Sequence, residues 1–219
     1  MRYSPIDFSR IRYISISSAI VQDIKGITDT GTAYMAFFYF DFNDTGKQDS
    51  RALLSSVIVQ LSRSSRSFYN ILFNFYSAHE KGSREPSIGV LTKCLEDMIK
   101  ASGGVPIYLV LDGLDECPDT NGIPSWRREV LDLVEKLVKE NPPRLHLCIS
   151  SRPEVDIRAS LELLTSASNR ICLHDQIGQK EDITTFVRGV VDSDTNMQKW
   201  RDEDKQLVIK TLSEKANGM

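Results

Sequence analysis

The sequence predicts an α/β domain with a mainly parallel sheet flanked by helices. Short apolar runs of strand length alternate along the chain with longer segments whose apolar residues recur every three or four positions. The most continuous run, residues 105–111, offers water no polar side chain except the Tyr108 hydroxyl, which predicts a strand buried on both faces. The 219 residues suffice for one such domain and the start of a second.

The N-terminal half is predicted to hold one strand among four helices. Residues 1–14 are irregular, although residues 10–16 alternate well enough for a strand. Helical spacing predicts a helix over 15–25 that ends at Gly26, and an aromatic run predicts a strand within 33–42. Apolar residues at helical spacing then predict further helices around 53–61, 68–76 and 88–99, the last with Ser87 as its N-cap.

The C-terminal half continues the alternation of helices and strands. After the strand at 105–111, helical periodicity reappears and is stopped by Asn141-Pro-Pro143. The predicted elements are a helix around 130–138, a strand over 145–149, a helix over 153–164, a strand over 170–174, and helices over 181–191 and 207–215.

Composition excludes several classes of partner. Apolar residues make up 41% of the chain and charged residues 26%, and the net charge of −3 gives no electrostatic reason to expect nucleic acid or an anionic membrane. No apolar stretch reaches the roughly 18 residues that a membrane span needs. Asp7, Arg10 and Arg12 stand where a signal peptide would be apolar. We therefore expect a cytoplasmic protein.

The cysteines and histidines favour neither disulfides nor a zinc site. No C-x-x-C pair occurs, and the cysteines mostly lie within apolar patterns, so buried free thiols in a reducing cytosol are expected. The histidines are scattered, whereas zinc signatures normally contain close ligand pairs. The residues concerned are Cys94, Cys117, Cys148, Cys172, His79, His146 and His174.

Acidic side chains follow the apolar run at its carboxyl end. Asp112, Asp115 and Glu116 are predicted to lie in an open crevice, because ligands of open α/β sheets bind beyond the carboxyl ends of the strands. Such a cluster repels itself unless a cation such as Mg²⁺ lies among its oxygens. A metal-assisted phosphate site is the functional interpretation, and a solvated acidic turn closed by Cys117-Pro118 is the alternative.

A basic residue follows the next strand. Ser150-Ser-Arg152 places a guanidinium at a neighbouring strand end, where its planar set of donors suits phosphate oxygens. An ion pair with an Asp or Glu is the alternative, since arginine performs both tasks.

The pattern of apolar residues, Asp112, a small residue, an apolar residue and Asp115-Glu116 resembles the Walker B segment of NACHT-type STAND P-loop NTPases. The resemblance is closest to the fungal NLR-like group with nephrocystin-like N-terminal domains. It implies that Asp112 holds Mg²⁺ through water, that Asp115 and Glu116 orient the attacking water, and that Arg152 is the sensor arginine. It also implies ATP or GTP as the ligand and a helical subdomain beginning near 181–191.

The Walker A segment of that family is absent from the sequence. Gly46-Lys47 does not supply it, because Asp41 stands where its first glycine belongs and Gln48 where its Ser or Thr belongs. Each lost charge-assisted phosphate contact costs about 1.5–3 kcal/mol, so nucleotide binding and hydrolysis are expected to be weak or absent. The chain is either a degenerate module or one whose true N-terminus has been lost.

These observations divide the chain into an irregular N-terminus in place of Walker A (1–14), a NACHT-like nucleotide-binding core (15–178) and the truncated start of a helical subdomain (179–219). The expected function is that of a module related to nucleotide-dependent signalling or self-recognition switches. Protein partners would act through missing flanking effector or repeat domains, and oligomerisation is compatible with this reading. The alternatives are a non-catalytic protein-interaction domain and a metal-dependent phosphohydrolase, which would lack the ligands of a two-metal site.

Overall fold

The computed structural model describes residues 8–79, 85–120, 123–140, 142, 144–172 and 179–215. These residues form eight α-helices and three β-strands. The helices are α1 (Phe8–Thr28), α2 (Ser50–Ser64), α3 (Arg66–Ala78), α4 (Ile88–Lys100), α5 (Trp126–Lys139), α6 (Val155–Leu161), α7 (Gln179–Ser193) and α8 (Asp202–Lys215). The strands are β1 (Tyr34–Tyr39), β2 (Ile107–Asp112) and β3 (Leu145–Ile149).

The three strands form one parallel sheet with β2 at its centre. Because the pairing is in register, residues of the three strands form rows across the sheet, and Met35, Tyr108 and His146 form one of them. The carboxyl ends of all three strands meet at the same edge. The predicted α/β class, with a parallel sheet flanked by helices, is confirmed, and the arrangement is consistent with a P-loop-like fold.

The main core lies between one face of the sheet and the apolar stripes of α2, α4 and α5. Leu109, in the middle of β2, is 2% exposed. Leu54, Leu95 and Val134, one from each of these helices, meet beside it. The predicted amphipathic helices are therefore confirmed, because their apolar faces pack against the sheet.

Polar side chains fix where these helices begin. Asp49 accepts a hydrogen bond from the backbone N–H of Ala52 (2.7 Å) at the start of α2. Ser87 accepts one from Val90 (3.4 Å) at the start of α4, which confirms the N-cap predicted from the sequence.

Two expectations for the first helix are wrong. Residues 8–14 are helical rather than irregular, because α1 begins at Phe8, and the alternation over 10–16 does not form a strand. No turn residue separates them from the following helical pattern, and a nucleated helix propagates at little cost. Gly26 does not end α1, which runs to Thr28, since one glycine costs a helix only about 1 kcal/mol. The left-handed residue after the helix is Gly31, with φ of 73°.

The strand predicted over 170–174 is not formed by residues 170–172, and residues 173 and 174 lie outside the described part. A 3-10 turn at Ala167–Asn169 precedes this stretch. Ile171 is 75% exposed, so its apolar side chain is not covered as a core strand requires. A short apolar run without neighbours to bury it does not become a strand.

The chain divides into two compact units, Met1–Thr165 and Ser166–Met219. The second unit has a small core of its own, in which Ile183, Val187 and Val191 of α7 pack with Ile209 of α8. The predicted domain boundary between 178 and 179 falls at the end of a stretch outside the described residues. Within the described residues, no helix is both long enough and apolar enough to cross a membrane.

Candidate functional site

A cleft of about 370 Å³ opens where the three strands end. All four residues predicted from the sequence, Asp112, Asp115, Glu116 and Arg152, line it. The tertiary structure therefore brings the acidic segment after β2 and the basic segment after β3 to one site.

Asp112 is the last residue of β2 and is only 5% exposed, so the prediction of an open position is wrong for this carboxylate. Helix α1 lies against β1 and β2, and its buried Ser17 contacts this carboxylate at the end of β2. Oδ1 of Asp112 accepts hydrogen bonds from the hydroxyls of Ser17, at 2.5 Å, and of Ser150. Two neutral donors therefore stabilise a buried carboxylate.

Ser150 joins the ends of β2 and β3. Its hydroxyl donates to Asp112 and accepts from the backbone N–H of Gly113 at 3.2 Å, while its carbonyl accepts from Leu114 at 3.1 Å. Gly113 is left-handed, with φ of 71°, and a Cβ there would lie 3.5 Å from the carbonyl oxygen of Phe40. This turn sends the chain into the short 3-10 helix Leu114–Glu116, which carries the other two carboxylates.

Asp115 is paired with Arg152. The guanidinium Nε lies 3.4 Å from Oδ2, and the backbone N–H of Arg152 donates to Oδ1 at 3.0 Å. The alternative interpretation of the arginine, an ion pair, is therefore realised, while the side chain of Arg152 stays 48% exposed to the cleft. Its role as a phosphate ligand stays a prediction.

Glu116 bonds across the cleft to the segment after β1. Its Oε2 accepts from the backbone N–H of Phe42 at 3.1 Å. The three carboxylates thus share a cleft but are held by different donors: serine hydroxyls, an arginine and a backbone amide. Within the described residues, no group of three or more His, Cys, Asp or Glu side chains could hold a metal ion together.

Sequence reasoning missed Lys47 and Asp41, which line the cleft from the segment after β1. Lys47 ends a 3-10 turn capped by Asp44, and its Nζ forms an ion pair with that carboxylate at 3.1 Å. The sequence did contain a signal for both residues: they follow β1, and the carboxyl ends of parallel strands lie at the same side of a sheet. Among the charged residues lining the cleft, four are acidic and two are basic, so an anionic ligand would have to bring a cation.

The side chain of Arg127 holds the turn that carries Asp115 and Glu116 in place. This residue was not identified from the sequence. Its guanidinium donates to the backbone carbonyls of Asp115 and Cys117, both at 2.8 Å, and its side chain is 12% exposed. At the start of α5 it follows the pattern of a surface residue, so nothing in the sequence marked this role.

Cys117 is a structural thiol beside the site. It is fully buried, and burial raises the pKa of its thiol to about 12. Its Sγ donates to the carbonyl of Gln48 at 2.8 Å. A thiol with this pKa stays protonated near neutral pH and does not act as a nucleophile there.

The residues at the cleft fit a hydrated Mg²⁺ better than they fit a triphosphate. A carboxylate flanked by two hydroxyls offers the hard oxygen donors that Mg²⁺ prefers, directly or through its water shell. The phosphates would meet the side chains of Lys47 and Arg152 but no Walker A glycine loop, since the sequence contains none.

A family model described as Nephrocystin 3, N-terminal, matches residues 15–152, more than half of the chain. The matched segment contains the whole sheet and every cleft residue named above. No curated protein and no solved structure matches.

Proposed function

The chain belongs to the nephrocystin 3 N-terminal family, and on this premise we propose that it is a NACHT-like STAND module of the fungal NLR-like type. The module is related to nucleotide-dependent signalling or self-recognition switches. It is cytoplasmic, in keeping with its four free cysteines, and is coupled to effector or repeat domains. Its cleft binds Mg²⁺ with ATP or GTP weakly and hydrolyses the nucleotide poorly or not at all.

One observation carries this proposal: the carboxylate that ends the central strand shares a cleft with an arginine from the end of the neighbouring strand. Asp112 corresponds to the Mg²⁺ residue of a Walker B segment, and Arg152 to a sensor arginine. Two serine hydroxyls, of which that of Ser17 is buried, hold the carboxylate in place, which favours a position kept for a ligand over a solvated acidic turn.

Each cleft residue has a role in this proposal. Asp112 holds Mg²⁺ through water, and the metal, when bound, neutralises charge on the phosphate oxygens. Arg152 binds phosphate with the exposed part of its guanidinium. Asp115 and Glu116 orient the attacking water, but both already accept hydrogen bonds from protein groups, which supports slow hydrolysis.

The expected affinity follows from the missing phosphate contacts. Losing three charge-assisted contacts of about 1.5–3 kcal/mol each removes roughly 4.5–9 kcal/mol of binding free energy. This corresponds to roughly a 10³- to 10⁶-fold rise in Kd, which turns a micromolar site into a millimolar or weaker one.

Calorimetric titration with Mg²⁺-ATP and Mg²⁺-GTP tests the proposal, with phosphate release measured on the same samples. We expect a Kd of about 1 mM or weaker and little turnover. Asp112→Asn should abolish the Mg²⁺-dependent part of binding, whereas Asp132→Asn, an exposed aspartate on α5, should not. Micromolar binding with turnover would overturn the impaired function, and Mg²⁺ binding without nucleotide binding would favour a metal-dependent phosphohydrolase.

Repair of the site provides a stricter test. A graft that replaces the residues before Ser17 with a strand and G-x-x-x-x-G-K-S should restore Mg²⁺-dependent nucleotide binding, because Asp112 and Arg152 would then face complete phosphate contacts. The same graft with its lysine changed to alanine should fold and lose most of the affinity. A well-folded graft with no binding at millimolar nucleotide would replace this proposal with the interaction-domain function.

That alternative, a non-catalytic protein-interaction domain, has one observation in its favour. Helix α3 exposes Tyr69, Phe73 and Tyr76, which lie on one face at helical spacing and are 47%, 55% and 49% exposed. Contiguous exposed aromatic groups are typical of interaction surfaces. Changing all three to Ser should leave nucleotide binding unchanged if the two functions are separate.

A further inference from the structure

The cleft receives a basic residue from each of the strands that flank β2. Lys47 follows β1 and Arg152 follows β3, and among the described residues that line the cleft these are the two basic ones. The central strand β2 ends at Asp112, which pairs in register with Tyr39 of β1. The strand order therefore puts the acidic segment after β2 between two segments that each carry a basic residue.

The two basic side chains differ in how firmly the protein holds them. Arg152 pairs with Asp115, whose side chain is 14% exposed and also accepts from the backbone N–H of Arg152. Lys47 pairs with Asp44 of its own turn, with 3.1 Å between Nζ and Oδ2, and both side chains are about half exposed. Exposed ion pairs contribute little, because water screens the charges and both side chains lose freedom. Lys47 can therefore exchange its partner for a ligand at lower cost than Arg152.

The backbone around Lys47 is fixed by bonds within the loop over residues 41–48, which we call the β1 loop. Oδ1 of Asp44 accepts from the N–H of Gly46 at 3.0 Å, and the N–H of Lys47 donates to the carbonyl of Asp44 at 2.8 Å. The carbonyl of Lys47 accepts from the N–H of Asp41 at 3.2 Å. The lysine side chain can thus change its partner while its backbone stays in place.

Two contacts join the β1 loop to the turn that carries the acidic residues. The N–H of Phe42 donates to Oε2 of Glu116 at 3.1 Å, and Sγ of Cys117 donates to the carbonyl of Gln48 at 2.8 Å. Nε2 of Gln48 donates in turn to the carbonyl of Phe42. The lysine therefore lies on a segment that is bonded to the acidic turn, which keeps its backbone beside the cleft.

We propose that Lys47 exchanges Asp44 for a phosphate group of the Mg²⁺-bound nucleotide, in place of the Walker A lysine that the sequence lacks. This inference rests on the proposed function, since it names a further phosphate ligand of the same cleft. Gly46-Lys47 does not have the spacing of a Walker A segment. An ammonium group on a flexible stem binds phosphate as a point charge, however, so it needs proximity rather than a motif.

NMR titration with Mg²⁺-ATP and with Mg²⁺-tripolyphosphate, each taken to tens of millimolar, tests the inference. Lys47→Met should raise the Kd for both ligands by about tenfold, because both lose the same charge-assisted phosphate contact. Lys47→Arg keeps the charge, so its Kd should stay within about threefold of that of the unmodified chain. Thermal unfolding of each variant checks that the fold is retained.

Lys93→Met is the matched control. Lys93 is also an exposed lysine, its Nζ lies 2.8 Å from Oδ1 of Asp97, and it does not line the cleft. The substitution removes the same charge from the chain as Lys47→Met. It should leave the Kd for both ligands unchanged.

The exchange of partners is tested by Asp44→Asn, which keeps the oxygen that caps the turn and removes the charge that competes for Lys47. This change should lower the Kd by about two- to threefold in the unmodified chain, the effect expected of a weak surface ion pair. In the Lys47→Met background it should have no effect. An equal gain in both backgrounds would show that Asp44 acts on the ligand directly, and would overturn the exchange.

Acetylation of lysines by an N-hydroxysuccinimide ester, followed by peptide mass spectrometry, gives a readout on the unmodified chain. Mg²⁺-tripolyphosphate should protect Lys47 from acetylation but not Lys93. If the unmodified chain binds the ligands, Lys47→Met binds them equally well and Lys47 is not protected, this inference is overturned while the proposed function stands. If the unmodified chain binds neither ligand, both are overturned.

Discussion

The middle of β2 and its carboxyl end are buried to similar extents but are stabilised differently. Leu109 is 2% exposed and Asp112 is 5% exposed. Leu109 packs against apolar side chains from helices, an interaction that depends on volume and hardly on direction. Asp112 depends on two hydroxyls from distant parts of the chain, placed within hydrogen-bond distance. Equal burial therefore does not mean equal predictability, because only the first interaction follows from a local pattern.

Truncation in the middle of β2 should have the largest effect. Leu109→Ala should lower the free energy of unfolding by about 2–5 kcal/mol, the range for a large-to-small change in a packed core. Urea unfolding of the two proteins measures the difference. A loss below about 1 kcal/mol would show that the strand is not central to the core.

Alkaline pH should probe the main core and the end of β2, since Cys94 of α4 is buried in the core and Cys117 is buried beside the turn that follows β2. Burial raises the pKa of Cys94 to about 11 and that of Cys117 to about 12, both from 9.0. Above pH 9 the unfolded chain releases these protons while the folded chain keeps them, so the stability present below pH 9 is lost as pH rises. At pH 10 the loss should be on the order of 1 kcal/mol per thiol.

Urea unfolding at pH 8 and pH 10 measures this loss. Cys117→Ala, although less stable at both values, should lose less between them than the unmodified chain. An equal loss in the two proteins would show that Cys117 does not contribute to the alkaline transition.

At the end of β2, the free energy of unfolding should depend more on the ability of the Asp112 side chain to accept hydrogen bonds than on its charge. Asp112→Ala should cost about 1–3 kcal/mol, because it leaves the hydroxyls of Ser17 and Ser150 without their acceptor. Asp112→Asn retains a carbonyl oxygen and should cost less than about 1 kcal/mol. Thermal unfolding of the two variants separates the effect of the lost acceptor from that of the lost charge. Equal losses of stability in the two variants would mean that the charge dominates.

Glu116→Gln should have the smallest effect. The amide oxygen can still accept from the N–H of Phe42, and the group lies at the cleft rather than in the core. The change in unfolding free energy should stay within about 0.5 kcal/mol, as for most surface substitutions. Unfolding of the domain by this change would show that Glu116 is structural and remove it from the proposed site.

The fold and the four predicted cleft residues could be found from the sequence because their signals are local. The apolar run before Asp112 and the spacing of apolar residues in α2, α4 and α5 each lie within one segment. The start of α1 and the strand over 170–174 were predicted wrongly, because alternation over a few residues does not say whether neighbours will bury them.

The polar contacts of the site had no such signal. Ser17 bonds to a residue 95 positions away, and Arg127 reaches back to the carbonyls of the acidic turn from the start of α5. Gln60 forms hydrogen bonds with the backbone N–H and carbonyl of Phe37, 23 positions earlier in the middle of β1. Serine, arginine and glutamine are all common on helix surfaces, so their presence in a helix predicted none of these roles.

The sequence by itself determined most of the strands and helices, and that acidic and basic residues follow two of the strands, because the periodicity of apolar residues is a local signal. Only the tertiary structure decided that Asp112 is buried against two serines, that Arg152 pairs with Asp115, and that Gln60 bonds to the backbone of Phe37. Hydrogen bonds depend on direction as well as distance, and the directions of side chains far apart in sequence are set only when the elements pack.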